Sequence, residues 1–180
     1  ITRTHGGLVL PGTATLFFVN EDGVAITCKH VMDLIMQAEP MNLQFNHFRA
    51  EKAQLAKDEH YNANLQNLEA RYQYREETTI QVKNNFVNSV DSFSNIRFHA
   101  HPTLDLAILI FEGFSQKHYT SHATFIKDST KIKPGKSLCR LGYPFPEFNN
   151  FHHNPYSDDL EWTTSGNQRS PSFPLDGIVT

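Results

Sequence analysis

Gly23-Val-Ala-Ile-Thr-Cys-Lys-His30-Val31 is the stretch on which the reading of this chain turns. An apolar, β-branched run follows a glycine and ends on one histidine, the pattern of a short core strand that delivers an imidazole at its end. Upstream, Thr13 to Val19 is a second strand-like run. Between them, Asn20-Glu-Asp-Gly23 collects residues that accept turn conformations, so the two runs predict a hairpin. After the histidine, residues 31–35 can form one or two helical turns.

A second stretch answers the first. His101-Pro-Thr-Leu-Asp105-Leu-Ala-Ile-Leu-Ile-Phe111 places an aspartate where an apolar strand begins. A neutral imidazole beside a hydroxyl can take its proton, and a carboxylate on the other ring nitrogen fixes the tautomer. His30 and Asp105 are therefore the candidate catalytic residues, two of the three members of a Ser-His-Asp system. Each also has a plainer role: Asp105 can cap the turn after His101-Pro102, and His30 can cap the short helix. Their order and matching strand contexts favour the dyad.

The remaining strand signals are Thr79 to Val82, Asn95 to His99, and Ser137 to Tyr143 after the Lys133-Pro-Gly135 turn. Short strands punctuated by turns point to a mainly β fold, a barrel or a sandwich. One region departs from it. Residues 46–77 hold no Gly or Pro and are rich in strong helix formers. Tyr61, Leu65, Leu68 and Tyr72 make one thin helical stripe, with Phe48 and Leu55 as a less regular edge. One long or two shorter helices are expected here, docked by one side as an insertion. Residues 144–174, rich in Asn, Pro, Ser and His, read as a long loop. Leu175 to Thr180 then opens another strand.

Composition narrows the function classes. The net charge of −3 argues against a nucleic-acid partner bound by bulk electrostatics. No apolar run reaches the length of a membrane span, so no membrane partner is expected. Cys28 and Cys139 each lie in an apolar run and read as buried free thiols, which suits a reducing cytoplasm. His152, His153, Asp158 and Asp159 could be read as metal ligands, but their loop setting favours solvated side chains. No cofactor or resident metal is expected. His99 and His101 alternate near Asp105 and can line its cleft.

Three blocks together resemble the trypsin-like (chymotrypsin-fold) serine peptidases, especially the bacterial type related to periplasmic heat-shock proteases. Gly12-Thr-Ala-Thr-Leu-Phe-Phe-Val19 leading to Ile26-Thr-Cys-Lys-His30-Val31 is similar to the family's first strand pair and its Thr-Ala-x-His block. Asp105-Leu-Ala-Ile-Leu109 is similar to Asp-Leu-Ala-Leu-Leu. Lys133-Pro-Gly-Lys-Ser-Leu-Cys-Arg-Leu-Gly142-Tyr-Pro144 is similar to the strand that opens the second barrel.

The resemblance implies a trypsin-like double β-barrel: residues 1–120 as the first barrel with its helical insertion 46–77, and 121–180 as a linker and the beginning of the second. It implies a serine endopeptidase acting on a polypeptide substrate, with His30 as base and Asp105 orienting it. The helical insertion sits well for a regulatory protein partner. The family's Gly-x-Ser-Gly turn, whose backbone N–H groups converge on the oxyanion, has no counterpart. Ser165 and Ser170 lack the glycine pair and read as loop serines, so the nucleophile is expected beyond residue 180. The alternative is a catalytically inactive peptidase-like binding module; a cysteine at the nucleophile position would make a viral-type cysteine peptidase.

Overall fold

The computed structural model describes residues 1–180. Thirteen β-strands and two α-helices follow one another along the chain. The first four strands are β1 (Thr2–Thr4), β2 (Val9–Leu10), β3 (Phe17–Phe18) and β4 (Val24–Thr27). Helices α1 (Lys29–Ala53) and α2 (Tyr61–Tyr72) come next. Then follow β5 (Thr79–Val82), β6 (Val90–Asp91), β7 (Asn95–Ala100), β8 (Ala107–Glu112) and β9 (Gln116–Lys117). The last four are β10 (Ser137–Gly142), β11 (Phe151–Asn154), β12 (Asp159–Trp162) and β13 (Phe173–Ile178). The fold is mainly β, as expected; the strands form five separate sheets, and none closes into a barrel.

Two compact units share the chain. One gathers residues 1–12, 34–85 and 149–168; the other gathers 13–33, 86–148 and 169–180. Each unit therefore takes segments from both sides of residue 120.

In the second unit, β3, β4, β8 and β7 form an antiparallel sheet in that order. Its alternation is clear in β8, where Ala107, Leu109 and Phe111 are buried and the residues between them are not. β4 runs against β8 with Ala25 opposite Leu109 and Thr27 opposite Ala107, so the buried faces match. Aromatic rings fill the space beneath: Phe18 stacks on Tyr119 with centroids 3.8 Å apart, and Phe86 and Phe93 meet Phe111 edge to face. The predicted hairpin of β3 and β4 forms, though β3 is only two residues long. Its turn closes on Gly23, whose φ is +78°.

The expected strand at the end of the sequence also forms. β13 pairs along its whole length with β10. Both strands are exposed on their two faces, so the Cys139 thiol is free and open to solvent rather than buried.

In the first unit, Phe45, Phe48, Leu68, Tyr74 and Ile80 make a core on which Leu55, Leu65 and Tyr72 pack. The α2 stripe docks as its spacing predicts. α1 is longer than expected: the helical turns after His30 do not stop but continue to Ala53, through Pro40. Proline removes one backbone donor, so the Met36 carbonyl loses its i+4 partner. Further along, Asn42 holds both backbone groups of Val82, donating from Nδ2 at 2.8 Å and accepting at Oδ1 at 3.0 Å.

The expected 144–174 loop contains a hairpin. β11 pairs with β12, with Phe151 opposite Trp162 and a turn at Asp158, where φ is +49°. Leu160, fully buried, anchors it. His152, His153, Asp158 and Asp159 thus lie on a hairpin, not in a loose loop. Their acids are engaged by cations of the same unit: Arg3 donates to Asp158 at 2.7 Å and Lys83 to Asp159 at 2.8 Å. Arg3 also donates to Gln81 at 3.0 Å, and Gln81 to Asp159 at 2.7 Å, which ties β1, β5 and the hairpin into one polar network.

Candidate active site

His30 and Asp105 are brought together by register. Thr27 stands opposite Ala107 in the β4–β8 pair. Two residues further along each strand, the chains are still neighbours, which brings Lys29 and His30 beside Asp105. The Thr27 hydroxyl steadies this end of β4 by donating to the Thr15 carbonyl at 2.8 Å.

The Asp105 carboxylate contacts His30 twice. Oδ1 accepts from the backbone N–H of His30 at 3.0 Å, and Oδ2 lies 2.7 Å from the ring Nδ1. The first contact uses one of the orphan N–H groups in the first turn of α1, where negative charge is favoured by the helix dipole. The second holds the ring. The backbone hydrogen bond from His30, then the side-chain one, lower the Asp105 pKa below its ordinary value. An ionised carboxylate only accepts, so Nδ1 carries a proton, and the neutral form of such a ring has its lone pair at Nε2.

Both side chains are exposed, 71% for His30 and 56% for Asp105. The carboxylate expected at the edge of the core thus keeps much of its hydration, and its two hydrogen bonds offset the rest.

An open depression borders the pair, lined by Lys29, His30, Asp33, His101, Thr103 and Asp105 among others. Lys29 and Asp33 pair across one helical turn at 2.9 Å. His101 lies on this depression, and His99 is not among the lining residues. His101 shapes the approach to Asp105: its Nδ1 accepts from the backbone N–H of Leu104 at 3.0 Å and of Thr103 at 3.2 Å. No serine lines the depression. Ser165 donates to the Thr163 hydroxyl at 3.4 Å, and the Ser170 hydroxyl accepts from the Glu147 N–H at 3.0 Å.

Cys28 was expected to be buried. It lies one residue past the end of β4 and is exposed and free. Its sulfur, a ring nitrogen of His30 and a carboxylate oxygen of Asp105 all lie within 4.8 Å of one another. The signal in the sequence is the spacing Cys28-Lys-His30, which sets a thiol two residues before the imidazole.

No protein-family model matches this chain, and neither the curated proteins nor the solved structures yield a match.

Proposed function

We propose that the chain carries the base and the orienting carboxylate of a trypsin-like serine endopeptidase. The nucleophilic serine would be contributed by polypeptide outside residues 1–180. The observation that carries this reading is the 2.7 Å contact between Nδ1 of His30 and Oδ2 of Asp105, made by a largely exposed His30 side chain. In the proposed reaction Nε2 takes the proton of the serine hydroxyl as it attacks the scissile carbonyl, then returns it to the leaving amine. Asp105 holds the ring in the tautomer this requires and balances the imidazolium. The same proposal takes the intact polypeptide to be a trypsin-like double β-barrel.

A second reading has its own support. Asp105 caps the first turn of α1, so the carboxylate has a structural use with no catalysis. That favours an inactive peptidase-like binding module.

A fluorophosphonate probe separates the two. The polypeptide extended past residue 180 through its first Gly-x-Ser-Gly turn should be labelled on that serine, and His30→Ala should abolish labelling. Residues 1–180 alone should not react. Labelling at Ser165 or Ser170 would overturn the placement of the nucleophile. An extended chain that never labels would support the binding module.

A further inference from the structure

We infer that Cys28, His30 and Asp105 form a zinc site whose cation takes the place of the proton between His30 and Asp105. The three residues offer one thiol sulfur, one imidazole nitrogen and one carboxylate oxygen, a borderline-soft set that suits Zn²⁺ better than the hard cations. They converge from two chain segments. Cys28 and His30 flank the junction of β4 and α1, and Asp105 precedes β8.

The present spacing is close to what the ion needs. Bond lengths of about 2.0–2.3 Å to N, O and S in a tetrahedron set ligand atoms about 3.3–3.6 Å apart. The atoms here lie within 4.8 Å, and the His30–Asp105 contact is 2.7 Å. Rotation of these exposed side chains, opening the His30–Asp105 edge, would bring the three atoms to that spacing. Solvent at the open depression supplies the fourth ligand. The Lys29 ammonium, which lines the same depression, is already balanced by Asp33.

The proton balance is explicit. The thiol gives up its proton to solvent and binds as thiolate. As zinc binds Nδ1, the single proton of the neutral ring moves from Nδ1 to Nε2, so the ring releases none. Asp105 binds as the carboxylate it already is. One proton leaves per zinc bound, and no oxidant or reductant is required. On the proposed peptidase reading, the site becomes an inhibitory switch, because Nε2 then bears a proton and cannot act as base. The metal site itself does not depend on that reading.

The test uses the two exposed thiols of one chain, with Cys139 as the internal reference. Residues 1–180 are alkylated with iodoacetamide with and without micromolar Zn²⁺, and each cysteine is followed by mass spectrometry. Zinc should slow modification of Cys28 by about tenfold or more, leave Cys139 unchanged, and lose most of this effect in Asp105→Asn. Cd²⁺ should add a thiolate-to-metal charge-transfer band that Cys28→Ser abolishes and Cys139→Ser retains. Equal rates at Cys28 with and without zinc would overturn the site, as would protection that survives both His30→Gln and Asp105→Asn. Neither readout uses catalysis, so failure here and failure of the peptidase proposal are told apart: zinc protection with no probe-reactive serine leaves the site and removes the switch.

Discussion

At Asp105 a single carboxylate serves both the backbone and the ring of His30, and the two tasks respond differently to substitution. Asp105→Asn keeps an oxygen for the backbone N–H. Its other group is then an amide that donates, so it favours a ring accepting at Nδ1 and protonated at Nε2, the wrong tautomer for a base. On the proposed function, kcat of the extended polypeptide on a chromogenic peptide should fall by about 10⁴-fold, with little change in KM. A loss confined to KM would assign Asp105 to substrate binding instead. Gly23 is the second residue where the local demand is strict. Its φ of +78° disfavours any side chain, and an added Cβ would meet Phe114 at 2.7 Å and the Phe111 carbonyl at 2.9 Å. Gly23→Ala should cost about 1–3 kcal/mol, seen as a lower urea midpoint with an unchanged m-value.

Among the elements, α1 shows most clearly where local and tertiary preferences compete. The sequence predicts one or two helical turns at 31–35 and a separate helical region from residue 46. One helix runs from Lys29 to Ala53 instead. Burial of Met32, Ala38, Phe45 and Phe48 along it offsets the backbone donor lost at Pro40. Pro40→Ala restores that donor at an exposed position and should stabilise the chain by about 1–3 kcal/mol, read as a raised urea midpoint. An unchanged or lowered midpoint would mean that Pro40 makes a compensating contribution. The hairpin of β11 and β12 is the opposite case. Its residues are polar and turn-prone, so composition suggests a loop. The available signal is short: Leu160 and Trp162, two residues apart, share one face of a strand between acidic residues. The hairpin instead owes its order to one fully buried leucine and to acids that find cations on β1 and just past the end of β5.

At the scale of the whole molecule, acid acts through those same carboxylates. For Asp158, burial works to raise the pKa, and hydrogen bonds from Arg3 and His153 outweigh it, so the net shift is downward. For Asp159, burial again works upward and is outweighed by Lys83 and Gln81. A carboxyl whose folded pKa lies below its unfolded one contributes stability that is fully present above the unfolded value, about 4, and is lost as pH falls through the folded value. The contribution of these two carboxylates should therefore be constant from neutral pH to about 5 and decline below about 4. The decline should be shallower in Asp158→Asn, which no longer binds that proton. An acid limb with the same slope in this variant would place the responsible groups elsewhere.

What the amino-acid order determined by itself was local: the glycine turn and strand that deliver His30, the aspartate at the mouth of the β8 run, the helical stripe from Tyr61 to Tyr72, and the mainly β class. These depend on residue-by-residue dihedral preference and on periods of about two or 3.6 residues, which are written in the chain. The tertiary structure alone decided the exposure of the thiols, the length of α1, the hairpin at 151–162 and the two units that interleave distant segments. Those depend on which surfaces meet across long separations, where burial and charge pairing override weak local preference. The meeting of His30 with Asp105 draws on both: the motifs named the residues, and the β4–β8 register set the distance.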